Sequence, residues 1–225
     1  MVGVFPWLAG LVALAGCASL PAEQAAGTPG AWVAAHSIAS IRAHDVTVGA
    51  GVAIGDGVVL TNAHVVRQGG NRLMLRSADG LREAPADIIS IDQRQDIVLL
   101  RVRQGFLEPA PVAARRPQRG EPVWALGPEG LGRAVAMGPV TRPDATLPGF
   151  GRGFTARLGA LMGFSGGPVV NQGGEVVGLT TARIGTSGAS LLGSLTGIDV
   201  AGLSNPMGRE VFVPRLPPGD CAGLR

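Results

Sequence analysis

Gly163-Phe164-Ser165-Gly166-Gly167-Pro168 is the stretch on which the reading of this chain turns. It sets a serine among glycines, after the apolar run Gly159-Ala160-Leu161-Met162 and before the β-branched pair Val169-Val170. A hydroxyl is a weak nucleophile at neutral pH, so a reactive serine needs a base beside it and donors for the oxyanion it creates. Glycine at 163 lets the chain turn so that its own N–H and that of Ser165 face one small hollow. Gly166 and Gly167 let a substrate main chain approach with no Cβ in the way. Taken alone, the hexapeptide reads equally well as a tight turn in a chain that holds 36 glycines.

Two upstream runs supply what such a serine needs. Thr61-Asn62-Ala63-His64-Val65-Val66 follows a strand-like segment and offers an imidazole; Gln95-Asp96-Ile97-Val98-Leu99-Leu100-Arg101-Val102 offers a carboxylate at the head of a buried-strand pattern. The order histidine, aspartate, serine is that of the chymotrypsin-type triad. A lone histidine is more often structural, but the rivals His36 and His44 sit in no comparable frame, and their spacing is not that of metal ligands. No metal site is expected. Asp96 runs directly into four apolar residues, so it lies near the core, where an unpaired charge is costly. That favours a hydrogen-bonded role, whereas Asp92 reads as a strand cap or surface residue.

These runs, together with Gly167-Pro168-Val169-Val170-Asn171 and Gly174-Glu175-Val176-Val177-Gly178-Leu179, resemble the trypsin-like serine proteases, and most closely the protease domain of the HtrA/Deg group. The resemblance covers about residues 37–215 and implies an all-β fold of two six-stranded β-barrels with the site in the cleft between them. It implies catalytic His64, Asp96 and Ser165, an oxyanion hole of the Gly163 and Ser165 N–H groups, an acyl-enzyme mechanism and no cofactor. The substrate is then a polypeptide, laid as an extended strand along Thr180-Thr181-Ala182. Gly159 falls at the floor of the side-chain pocket, with no acidic residue there, which fits a small or medium apolar substrate residue. Phe164 departs from the family, which usually has a polar residue there, often Asn or Asp; its side chain is expected to point away from the substrate, but a bulky ring could tilt the oxyanion turn. The chain ends at Arg225, so no PDZ domain is expected. The long Gly/Ser-rich stretch from Ile184 to Gly208 is a candidate gate for that cleft.

At 225 residues the chain makes one large domain or two small lobes. Tyrosine is absent and aromatics make up 4%, so the core is Val, Leu, Ile and Ala. The net charge is +3 and every basic residue is arginine, scattered apart from Arg115, Arg116 and Arg119. No aromatic residues interleave with them, which argues against nucleic acid as a partner. Val2 to Leu20 is apolar but too short and too rich in small residues for a membrane span. Leu14-Ala15-Gly16-Cys17 resembles the lipobox of bacterial lipoproteins. That implies a signal peptide over 1–16, lipid on Cys17 and tethering at the cell envelope, with Ala18 favouring the outer membrane. The first residues lack Lys and Arg, so a plain secretory signal, giving a secreted or periplasmic protein, and an uncleaved anchor stay open. With Cys17 acylated, Cys221 has no partner and the fold stands without a disulfide.

Residues 17–36 read as a linker, 37–215 as the protease domain with lobes at 37–110 and 122–215, and 216–225 as a flexible tail. Strand patterns cover Ser37–Arg42, Val46–Ile54, Val58–Leu60, Arg72–Arg76 and Ala86–Ile91, with a hairpin turn at Gly55-Asp56-Gly57. Pro111 to Pro122 connects the lobes. Pro122–Gly127, Arg133–Val140, Phe154–Leu158, Val176–Ala182 and Glu210–Val213 continue the pattern, and Thr141 to Gly153 reads as a Pro/Gly loop. Many short strands with Gly/Pro punctuation mean a β-barrel architecture. Two other functions stay open: a catalytically silent lipoprotein that binds peptides or partner proteins, and a structural envelope protein carrying a chance motif.

Overall fold

In the computed structural model the described residues are 21–43, 45–69, 73–128, 134–158, 163–184, 210–214 and 216. Two short helices, α1 (Pro21–Ala25) and α2 (Ala31–His36), lead into six strands: β1 (Ile38–Ala43), β2 (Val46–Gly55), β3 (Val58–Asn62), β4 (Leu73–Ser77), β5 (Glu83–Asp92) and β6 (Ile97–Arg101). Helix α3 (Ala63–Gly69) lies between β3 and β4. The six strands close into an antiparallel barrel in the order β1-β2-β3-β6-β5-β4. The second lobe holds β7 (Pro122–Leu126), β8 (Val135–Leu147), β9 (Gly151–Arg157), β10 (Pro168–Val170), β11 (Val176–Leu179), β12 (Ala182–Ile184) and β13 (Glu210–Pro214).

Those strands form one sheet of seven, ordered β11-β10-β7-β8-β9-β13-β12. Its two ends, β11 and β12, are joined in the chain by Thr180-Thr181 alone. They are therefore two halves of one bent strand, and the sheet rolls up until Gly178 of β11 lies against Val213 and Pro214 of β13. The first of the two expected barrels is closed, and the second lobe is this curled sheet of seven strands rather than a closed barrel of six.

The apolar runs explain themselves by alternation. On β6, Val98 and Leu100 point into the first barrel while Ile97 and Leu99 join the core between the lobes. On β7, Val123 and Ala125 fill the second lobe while Trp124 and Leu126 face the first. A strand with both faces buried needs a continuous apolar run rather than alternation with polar residues, and each buried Val, Leu or Ile in these runs contributes about 1.5–3 kcal/mol by leaving water.

Two readings are corrected. Residues 21–36 are not a free linker: Ala25, Val33 and Ala34 are buried in the inter-lobe core, and the Cβ that Gly30 lacks would touch Leu126 and Val170. Helices of 5 and 6 residues are too short to show a helical period in the sequence. Thr141 to Gly153 is not a loop either. β8 and β9 pair through most of it, leaving a tight turn at Pro148-Gly149-Phe150, and register shifts at Val140/Arg142 and Arg142/Ala145 accommodate Pro143. The connector is pinned as well, since Val176 N–H donates to Pro111 O at 2.7 Å and Ala113 N–H to Val176 O at 3.0 Å.

Candidate active site

His64 stands in the first turn of α3, immediately after β3, and Asp96 closes the turn that leads into β6. The Asp92 carboxylate shapes that turn, accepting the N–H groups of Arg94 at 2.9 Å and Gln95 at 3.1 Å. Asp96 takes φ 55°, a left-handed conformation that aspartate tolerates better than most residues. Its side chain is used at both ends: Oδ1 accepts the His64 main-chain N–H at 2.9 Å, and Oδ2 lies 2.6 Å from His64 Nδ1. Its own carbonyl accepts from Ala63 N–H at 3.1 Å and from Asn62 Nδ2 at 3.0 Å. Asp96 is 3% exposed. A carboxylate held at two points can only accept, so the Nδ1 facing it carries the proton and Nε2 is left as the basic nitrogen.

Ser165 comes from the second lobe and docks on the first through its main chain. Its carbonyl accepts Ala50 N–H at 2.8 Å. A Cβ placed on Gly49 would lie 2.7 Å from the Val65 methyls on one side and 2.8 Å from Ser165 O on the other. The serine turn and the residue after His64 therefore meet across one glycine. Gly166, at φ 81°, is equally constrained, because a Cβ there would lie 2.2 Å from Ala50 O and 2.3 Å from Thr61 Oγ1. Its N–H donates to Thr180 O at 2.9 Å, and Gly167 N–H donates to Phe164 O at 2.8 Å. Among the described residues neither Gly163 N–H nor Ser165 N–H has a main-chain partner. No hydrogen bond joins Ser165 Oγ to His64 among the described residues. Such bonds commonly tighten only when substrate is bound.

Thr180, expected beside a substrate strand, is bonded through its main chain to the serine turn. Its N–H donates to Gly167 O at 2.8 Å and its carbonyl is taken by Gly166, so its main chain is committed to the serine turn. Thr181 Oγ1 accepts from Asn62 Nδ2 at 2.8 Å, a bond between the lobes. Ala182 opens β12, the last strand in the sheet order, paired with Phe212 of β13. Gly159, His44, Cys17, Cys221 and nearly all of Ile184–Gly208 lie outside the described residues. His36 stacks on Trp32 with ring centroids 5.1 Å apart, and its Nδ1 lies 2.9 Å from Trp32 O. Among the described residues no three His, Cys, Asp or Glu side chains are grouped to hold a metal ion, and no helix is long and apolar enough to cross a membrane.

The sequence did not single out Asn62, Gly49 or Thr61. The signal was present for Gly49, since a glycine in an apolar strand marks a close approach of another backbone. Phe164 is 1% exposed and belongs to the second lobe's core, so its ring is turned away from the cleft.

The chain matches the family of the trypsin-like peptidase domain over residues 49–179. It is 33% identical over 166 residues to a probable periplasmic serine endoprotease, DegP-like, of Pseudomonas putida, covering 71% of this chain and 34% of that protein. A DegP-like protein of Halomonas elongata is 32% identical over 151 residues, covering 65% of this chain and 31% of the relative. The chain thus spans about a third of the length of these relatives. The crystal structure of the serine endoprotease from Yersinia pestis superposes with a TM-score of 0.62 at 24% identity, covering 83% of this chain and 61% of that one. The HtrA-type protease AlgW with tripeptide gives a TM-score of 0.65 at 22% identity, covering 83% and 58%.

Proposed function

Because the chain belongs to the trypsin-like peptidase family, we propose that it is a serine endopeptidase that cleaves polypeptides with Ser165 as nucleophile, His64 as general base and Asp96 as the carboxylate behind it. The observation that carries this is the two-point grip of the buried Asp96 on His64, at 2.9 and 2.6 Å, beside the docked serine turn. As Ser165 Oγ attacks the scissile carbonyl carbon, its proton passes to His64 Nε2 and Asp96 steadies the imidazolium. The carbonyl oxygen becomes an oxyanion facing the Gly163 and Ser165 N–H groups. Collapse breaks the C–N bond, His64 gives the proton to the leaving amine, and an ester to Ser165 remains. Water, deprotonated by His64, then hydrolyses that ester and frees the serine.

The peptide adds as a strand along Thr181-Ala182, the open side of β12 in the sheet order, while Thr180 shapes the serine turn. Gly159 lines the pocket for a small or medium apolar residue. A location in the bacterial envelope or periplasm is supported by relatives described as periplasmic. Lipid on Cys17 rests on Leu14-Ala15-Gly16-Cys17 alone; Cys17→Ser is expected to move the protein from membrane to soluble fractions, and unchanged fractionation would remove that part.

The test is labelling with a fluorophosphonate probe alongside cleavage of an unfolded protein. The parent should label and cleave, and Ser165→Ala should do neither, with turnover down about 10⁶-fold. A folded parent that does not label supports the peptide-binding reading instead.

A further inference from the structure

Gly163-Phe164-Ser165-Gly166-Gly167 contains just two side chains, those of Phe164 and Ser165. Gly163 at φ 90° and Gly166 at φ 81° sit in the region where glycine also has easy access to the mirror conformations. A turn of this composition swings its N–H groups with little resistance unless something outside it holds it. Ser165 must stay free to react, so a side-chain anchor can come only from Phe164.

Phe164 is built as an anchor. Its ring is among the largest fully buried side chains of the molecule and packs in the second lobe's core with Val123, Ala125, Phe154 and Val169. The ring lies flush on Gly127, where an added Cβ would come within 3.0 Å of Cδ2 and Cε2. That seat is itself fixed. Gly127 N–H donates to Ala134 O at 2.7 Å, and Ala134 N–H donates to Gln24 Oε1 of α1 at 2.7 Å. The peptide leaving the Phe164 α-carbon carries the Ser165 N–H, one of the two oxyanion donors.

We infer that Phe164 is a positioning residue for the oxyanion turn: its ring, seated on Gly127, sets the directions of the Gly163 and Ser165 N–H groups. The inference rests on the serine-endopeptidase reading and goes beyond it. A ring at this place holds the turn rather than tilting it. Its effect falls on the transition state, because the oxyanion exists only there.

The experiment uses the full chain as parent, Phe164→Ala, Phe164→Leu and Gly127→Ala, with Ser165→Ala as the inactive control. Steady-state cleavage of a chromogenic peptide gives kcat and KM. A peptide boronate reports transition-state binding and a product peptide reports ground-state binding. Phe164→Ala is expected to lower kcat about 10²-fold, the scale of losing one oxyanion donor, with KM and product affinity near parental values. Boronate affinity should fall in step with kcat, and Phe164→Leu should recover most of both. Gly127→Ala, which fills the seat without emptying the core, should show the same split at about tenfold; it decides the matter if Phe164→Ala does not fold. Folded variants with parental kcat and boronate affinity overturn the inference while the parent's activity keeps the peptidase reading. A parent that neither cleaves nor labels overturns both.

Discussion

The first lobe holds its share of the site with side chains, whereas the second holds its share with main chain. His64 and Asp96 are joined within one barrel by bonds of 2.6 and 2.9 Å, and the carboxylate is buried behind them. Ser165 rides on a glycine-rich turn whose bonds run between peptide groups, Gly166 to Thr180 and Gly167 to Phe164. Above the shared apolar core, and among the described residues, the two halves of the site meet at Ala50 N–H to Ser165 O, the close packing at Gly49 and Gly166, and the Asn62–Thr181 bond. The base is therefore assembled by one lobe alone, while alignment of the nucleophile depends on how the lobes dock. Changes in the first lobe should alter proton transfer, and changes at the seam should alter geometry.

Asp96→Asn tests the first half of that contrast and should show the largest effect. The amide keeps the shape, but its Nδ2 would face His64 Nδ1 with a hydrogen, so the ring turns its other tautomer to the serine. Cleavage rates should drop about 10⁴-fold, the figure known for the same change in a Ser-His-Asp triad, with near-parental thermal unfolding. A loss under tenfold would show that the histidine is oriented by something other than this carboxylate.

How far the sequence reached follows the same line. Three runs suggested the proposed triad because burial forces a visible pattern: Asp96 ahead of Ile97-Val98-Leu99-Leu100 has core on both faces of the strand. Strands with one or two buried faces were legible for the same reason. Helices α1 and α2 were not, being too short to repeat an apolar face. The β8–β9 hairpin was hidden because Pro143 and the glycines are punctuation locally, whereas the pairing that tolerates them is long-range. Phe164 shows the sharpest limit. A bulky ring beside the nucleophile reads as an obstacle until one sees that Gly127, far upstream, leaves a seat for it.

Asn62 tests the seam, with an intermediate effect. Its Nδ2 bridges Asp96 O and Thr181 Oγ1 and so touches both halves of the site without reaching substrate. Asn62→Ala removes both bonds. It also removes a buried Oδ1 that has no hydrogen-bond partner among the described residues, which moderates the loss. Stability should fall by about 1 kcal/mol, and kcat by about tenfold. Thr181→Val breaks the inter-lobe bond alone and should reproduce most of the kcat loss. The pH at which the rate is half-maximal should stay put in both, since the His64–Asp96 pair is intact. A shifted pH midpoint would mean that the seam and the base are not separable.

The smallest effect asks whether the second lobe is held by main chain everywhere. It is not: across β8, β9 and β13 the Glu210 carboxylate accepts from Thr155 Oγ1 at 2.6 Å and Thr141 Oγ1 at 2.8 Å, with Arg142 3.5 Å away. The Thr155 hydroxyl, chiefly, with Thr141 and Arg142 assisting against partial burial, holds the Glu210 carboxyl below its ordinary value of 4.5. The folded protein thus favours the ionised form more than the unfolded chain does. The stability this gives is present above pH 4.5 and is lost as pH falls through the lower folded-state value. Glu210→Gln should therefore unfold slightly earlier than the parent at pH 7, and the gap should close in acid. The group is about one-third exposed, and solvent screening keeps the effect small. Thermal unfolding of both proteins across that pH range measures it. A gap that persists unchanged in acid would assign the stabilisation at Glu210 to packing rather than to its charge.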